Sequence, residues 1–317
     1  MTRHTLSATP DTVQLGIFDA TIPPALTVES GDTVVIECVT GDERFYPPAA
    51  TDFHVPDALR AINTAHPGPY PGHIVTGPVA IAGAEPGDML EVRIEAIEPG
   101  ADWGFCGFRA LGGTLPEDFP HSFLSHIAID RARGVGRLPY GLELPLAPFF
   151  GVMGVAPPHA YGRISTIEPR EHAGNIDNKE LVAGTTLFLP VWAPGALFSV
   201  GDGHGAQGDG EVCINAIEMC LTGTFTFVLH RAADGAGPLK YPRAETPTHF
   251  ISMGMDADLD DAMKKALREM IAFICARSNL SRDEAYQLCS LAVDFRVTQT
   301  VNGEKGVHGM LKRGLLF

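Results

Sequence analysis

Asp202 and His204 stand two residues apart in Gly201-Asp-Gly-His-Gly205, and Asp209 and Glu211 repeat that spacing in Gln207-Gly-Asp-Gly-Glu211. In an extended backbone, residues two apart point to one side. One carboxylate and one imidazole suit zinc or a similar divalent ion, but two ligands do not close a site. The competing reading is a glycine-rich turn whose Asp side chains bond backbone N–H groups. Four ionisable groups among so many glycines favour the functional reading. Glycine also lets the main chain approach a ligand closely.

Further candidates flank this stretch. Asn175 and Asp177 offer oxygen atoms at the same spacing, although an Asn-x-Asp triplet is often a simple turn. Arg243, Glu245 and His249 fall on odd positions of a run held extended by Pro242 and Pro247. They face together in that case, or Arg243 and Glu245 form only a surface ion pair. Glu218 stands alone among apolar residues. Buried, it needs a partner and serves as a metal ligand or a general base of raised pKa; otherwise it lies on the wet face of a strand. His73 and the Asp294-Phe-Arg296 triplet read as structural.

Several chemistries are disfavoured. The chain lacks a G-x-S-x-G elbow, a P-loop and a strand–helix dinucleotide fingerprint. Cys213 has no evident activating set, so a thiol nucleophile is not expected. The formal net charge of −15 makes nucleic acid and anionic membranes poor partners. No apolar run is long enough to span a bilayer, and the N-terminus lacks the apolar core of a secretory signal. With six scattered cysteines read as reduced core residues, the expected compartment is cytoplasmic.

The elements that must position these groups are mostly strands. Thirty-five glycines and 25 prolines punctuate 317 residues, and 45% of the chain is hydrophobic. That composition fits many short strands joined by turns around a large core. Strands are expected over 13–18, 33–39, 89–97, 126–130 and 181–191. Residues 41–77 and much of 103–140 read as irregular. The Pro148–Pro157 run is apolar and rich in small residues, able to pass close beneath a site. Apolar residues recur at helical spacing from Asp258 to Arg277, and Ser281-Arg-Asp-Glu284 is a capping box opening a second helix. One closing strand is expected over 294–301. The expectation is a β-rich α+β fold: a mostly antiparallel, sandwich-like core, a helix pair within 256–292 and a late strand. Residues 1–317 read as one unit, β-rich over 1–250.

Several motifs, in order, resemble the acetamidase/formamidase family. They are Thr76-Gly-Pro78, Gly83-Ala-Glu-Pro-Gly-Asp-Met-Leu90, Phe150-Gly-Val-Met-Gly-Val155, Gly174-Asn-Ile-Asp177 and Pro194–His204. Gln207–Glu211, Arg243–His249, Cys289-Ser-Leu-Ala292 and Asp294–Gln299 follow. The resemblance implies a cytoplasmic homo-oligomer that hydrolyses short aliphatic amides to carboxylate and ammonia, with a divalent metal in some members. Carried over, it makes Asp177, Asp202 and His204 the metal residues and Glu211, Glu218 and His249 the proton-handling groups. Asn175, Gln207, Arg243 and Glu245 become the substrate-binding candidates. The expected ion is zinc, with calcium or manganese as an optional second ion, and the expected reaction uses metal-activated water on a small amide. Two alternatives stay open. One is a non-catalytic small-ligand or metal-binding protein on the same scaffold. The other is an amidase for larger or cyclic amides, with Trp103, Phe105 and Phe108 lining its pocket.

Overall fold

The computed structural model describes residues 1–235 and 239–316. Its strands form a four-stranded sheet, a two-stranded ribbon of Ile17–Phe18 and Ile164–Ser165, and two main sheets packed face to face. The larger has nine strands, in the order Arg3–Leu6, Thr33–Cys38, Leu221–His230, Met89–Pro99, Thr185–Pro190, Arg243–Glu245, His249–Asp256, Lys305–Lys312 and Val293–Gln299. Every pairing in it is antiparallel except the first. The second sheet runs Ala173–Asn175, Phe149–Gly154, Phe198–His204, Ile74–Ile81 and Val13–Leu15, with Leu26–Val28 added in parallel to Ile74–Ile81.

Aromatic side chains join the two sheets. Phe150 lies 5.7 Å, centroid to centroid, from Phe225, and Phe198 lies 5.1 Å from Phe227. All four are fully buried. Rings at these separations add attraction beyond the area they bury. The mostly antiparallel, sandwich-like core is therefore as expected.

The helix pair also falls where the spacing placed it. Leu259–Arg277 is capped by Asp258, whose carboxylate accepts from the N–H groups of Asp260 and Asp261. Ser281 and Glu284 close a capping box at the start of Arg282–Ala292. Met270, Phe273, Ile274 and Cys289 bury the helices' apolar faces against Phe250 and Leu311 of the large sheet.

Three expectations need correction. The 41–77 stretch contains a helix, Asp57–Ala65, whose Leu59 and Ile62 pack with Trp103 and Phe105. Only nine residues long and opened by Pro56, it shows too few apolar repeats to register as periodic. The 103–140 region holds most of a four-stranded sheet, Glu143–Pro145, Val135–Arg137, Phe123–Asp130 and Trp103–Phe108. The closing strand, Val293–Gln299, is followed by another, Lys305–Lys312, whose interior is buried on both faces. A strand covered on both sides has no polar–apolar alternation to reveal it.

Candidate metal centre

Asp202 and His204 lie within the Phe198–His204 strand rather than in a loop. That strand sits between Phe149–Gly154 and Ile74–Ile81. Its glycines serve packing: a Cβ on Gly203 would stand 2.4 Å from the backbone oxygen of Met219. Glu218 arrives alongside through an isolated bridge to His204. Asp177 follows the Ala173–Asn175 strand, and its N–H donates to the Gly151 carbonyl at 3.1 Å. Glu211 is fixed from the C-terminal side, where the neighbouring Gly210 bonds to Thr298 and Thr300.

These elements bring five ionisable side chains together. Asp177, His204 and Glu211 offer ligand atoms within 4.8 Å of one another, and Asp202, His204 and Glu218 do the same. All five residues are at most 6% exposed. His204 Nε2 lies 3.2 Å from Asp202 Oδ2 and 3.3 Å from Glu218 Oε1. Neither approach has hydrogen-bond geometry, and both ring nitrogens are without a hydrogen-bond partner. Asp177 Oδ1 and Glu211 Oε2 are also unpartnered. Buried polar atoms are ordinarily satisfied, so such a concentration needs an explanation. Ligand atoms facing a common space without bonding one another are the arrangement a cation requires.

Gly151 keeps part of that space open. A Cβ there would stand 2.5 Å from both Asp177 Oδ1 and Asp202 Oδ2, and 2.7 Å from His204 Cε1. The backbone is held in unusual conformations at the same place. Asp177, Asp202 and Glu211 have φ of 46°, 57° and 45°. Left-handed backbone costs a non-glycine residue of order 1–3 kcal/mol and tends to cluster at functional sites.

Electrostatics follow from burial and from neighbouring charge. Burial pushes the Asp177 carboxyl up to about 6 and that of Glu218 to about 7, in each case against the pull of His204. Burial and then Asp177 drive Glu211 well above the usual carboxylate range. Burial opposes charge on His204 as well, but Glu218 and Asp202 outweigh it and hold the imidazole pKa well above its ordinary value. Asp202 is also opposed by burial, yet His73 and His204 keep it below the ordinary carboxylate value. Packing this much negative charge without a cation is costly. The donor set of imidazole and carboxylates suits zinc and similar divalent ions.

Two further residues lie beside the cluster: His73, which reads as structural in the sequence, and Asn302, which the sequence does not single out. His73 Nε2 lies 3.7 Å from Asp202 Oδ2, while its Nδ1 is 3.1 Å from Thr166 Oγ1. Asn302 Nδ2 donates to Asp177 Oδ2. Neither stands in a local motif; strand pairing and a C-terminal turn bring them in.

The other candidates divide. Gln207 Nε2 donates to the Asp177 carbonyl at 2.9 Å, leaving its Oε1 buried and unpartnered. Asn175 donates to the Ile167 carbonyl, and its Oδ1 is likewise unpartnered. Asp209 is exposed and pairs with Lys179 at 3.1 Å. The structure does not bring Arg243, Glu245 and His249 to the cluster. Arg243 lies over the rings of Phe188 and Phe273, at 4.9 and 5.3 Å. Glu245 pairs with Arg277 and Arg313, and His249 Nδ1 pairs with Thr248 Oγ1. Their strands run next to the helix pair, so the alternating pattern that grouped them serves the sheet–helix contact. Trp103 and Phe105 are buried in a core cluster, and Trp103 Nε1 donates to the His54 carbonyl.

Fold and site together define a class: a two-sheet β protein with a buried histidine–carboxylate cluster fit for a divalent ion. Within that class, the chain belongs to the acetamidase/formamidase family, whose model matches residues 16–163 and 159–306. It is 31% identical over 254 residues to a Schizosaccharomyces pombe protein that carries a provisional formamidase name, an alignment covering 62% of this chain and 59% of that protein. It is 28% identical over 259 residues to an acetamidase of Mycolicibacterium smegmatis, covering 62% of this chain and 61% of the relative. The chain thus spans about three fifths of the length of these curated relatives. The crystal structure of an acetamidase from Bacillus halodurans aligns over 98% of both chains, with a TM-score of 0.81 and 31% identity.

Proposed function

We propose that this protein is a divalent-metal amidohydrolase that cleaves the C–N bond of short aliphatic amides, of the formamide and acetamide type, to a carboxylate and ammonia. The observation that carries the reading is the set of unpartnered ligand atoms on Asp177, His204 and Glu211, buried beside Asp202 and Glu218. The family and the names of its relatives support the same chemistry. Asp177, Asp202, His204 and Glu218 would hold the ion, with zinc the first choice and manganese or calcium as a second ion. When bound, such an ion polarises a carbonyl and lowers the pKa of water toward about 7.

The two glutamates differ in how they are held. Glu218 Oε1 accepts from the Ala216 N–H at 3.1 Å and from Asn215 Nδ2 at 3.3 Å, which holds the carboxylate in place and supports a ligand role. Glu211 Oε2 has no bond to keep it from the reacting water, so Glu211 takes the water proton and returns it to the departing amine. Gln207 Oε1 and Asn175 Oδ1 are free to accept from the substrate NH2 group. We infer a homo-oligomer, supported by exposed Leu111, Phe119, Phe123, Tyr140 and Leu142 in one part of the sequence. A cytoplasmic setting accords with six free cysteines. Residues 1–317 are taken as one unit because Arg3–Leu6 and Lys305–Lys312 belong to the same sheet. No helix among the described residues is long and apolar enough to cross a membrane.

The test is ammonia release from a panel running from formamide and acetamide to benzamide and lactams, before and after chelation. The expected result is turnover of the smallest amides, loss on chelation and recovery with zinc or manganese. Turnover by metal-free protein contradicts the metal role. An ion bound without turnover of any amide favours a binding protein instead.

A further inference from the structure

Two thiols that the proposed reaction does not use lie against the cluster. Cys106 is in the Trp103–Phe108 strand, beside Phe105. Phe105 exchanges two backbone hydrogen bonds with Glu218, at 2.9 and 2.7 Å. Cys213 follows Glu211 by two residues and precedes Ile214, whose φ is 77°. The two sulfurs are 3.8 Å apart, and both sit near the Asn215 carbonyl, at 3.7 and 3.6 Å. Asn215 links both sides: its Oδ1 accepts from the Gly107 N–H, and its Nδ2 donates to Glu218. Cys38, Cys220 and Cys289 are buried, whereas Cys106 and Cys213 are both partly accessible.

We propose that Cys106 and Cys213 form a modification site, a dithiol that a hydroperoxide closes to a disulfide, and that closure disables the neighbouring cluster. The Cys213 sulfur attacks a peroxide oxygen and the O–O bond breaks, giving a sulfenic acid and one water. The Cys106 sulfur then displaces the hydroxyl group, the S–S bond forms and a second water leaves. Two thiols give up two electrons and two protons, and one hydrogen peroxide becomes two waters. A disulfide needs its sulfurs about 2.05 Å apart, so closure draws them together. Cys106 is anchored in a sheet. The displacement therefore falls on the 211–215 segment, which carries Glu211 and the Asn215 bond to Glu218.

The full-length, metal-loaded protein is treated with hydrogen peroxide, blocked with iodoacetamide and digested without reductant for mass spectrometry. The expected product joins the Cys106 and Cys213 peptides with the loss of two hydrogens, and tris(2-carboxyethyl)phosphine reverses it. Zinc affinity of the oxidised protein, measured after metal removal, should fall about 10–100-fold, as when a group that orients a ligand is lost. Cys106→Ser and Cys213→Ser, treated alike, should keep their affinity. The effect of closure on turnover rests on the amidohydrolase reading, but the cross-link and the zinc affinity do not. If that reading alone fails, reduced protein releases no ammonia while both of those results stand. Full alkylation of both cysteines after peroxide, or a cross-link that leaves zinc affinity unchanged, overturns the proposal.

Discussion

Two stretches of this chain carry the same pattern of ionisable side chains at alternate positions, and the fold uses them differently. Asp202 and His204 are buried with Asp177, Glu211 and Glu218, and several of their polar atoms have no bond. Arg243 and Glu245 are partly exposed and well supplied with neighbours: aromatic rings for the guanidinium and two arginines for the carboxylate. The first arrangement leaves ligand atoms of three residues buried, close together and unpartnered, whereas in the second only the buried Arg243 Nε, beside aromatic rings, lacks a hydrogen bond. Spacing within a strand therefore says which side chains share a face. What lies across that face decides whether they do chemistry.

The comparison can be broken most severely at His204, which belongs to both ligand groups. His204→Ala should abolish ion binding and amide turnover together. It should also destabilise the metal-free fold by about 3–5 kcal/mol, because it leaves buried carboxylates unpaired; metal analysis and urea unfolding check both. Next comes Glu211→Gln, expected to lower kcat by about 10²–10⁴-fold with the fold intact. Glu218→Gln should instead weaken the ion, so rate measurements across a metal titration separate the two glutamates. Asn302→Ala removes the bond to Asp177 and should reduce metal affinity about 10–100-fold, as competition with a chelator would show. Arg243→Met tests the other stretch. Turnover should be unchanged, and the loss of its ring contacts should cost about 0.5–1 kcal/mol in unfolding.

A separate, pH-linked effect comes from two buried histidines outside both stretches. Burial lowers His172 to about 3 and His308 to about 4. Both therefore bind protons less readily folded than unfolded, so stability is full above about pH 6.5 and falls as pH drops toward 4. A thermal unfolding series from pH 7 to 4 should show that decline, and His172→Phe should flatten it.

How much of this was legible in the sequence varies with the kind of signal. The helix pair was readable because its apolar period and capping box are local. Asp202 and His204 were readable as a pair because two candidate ligands fall on one strand, and the Pro148–Pro157 run brings Gly151 against Asp177 and Asp202. His73 and Asn302 were not, since only strand pairing and the C-terminal turn bring them to Asp202 and Asp177. Arg243 and Glu245 were grouped with the site because alternation cannot distinguish the helix-covered end of one sheet from a strand of another. Lys305–Lys312 was hidden by burial on both faces.

The central claim is that the buried Asp177–Asp202–His204–Glu211–Glu218 cluster is a divalent-metal site. The most direct test is the metal content of the purified chain after incubation with zinc or manganese and dialysis, compared with His204→Ala and Arg243→Met. The account predicts bound ion in the wild type and in Arg243→Met, and none in His204→Ala. Wild-type protein that retains no ion, or His204→Ala that retains as much as wild type, would contradict it.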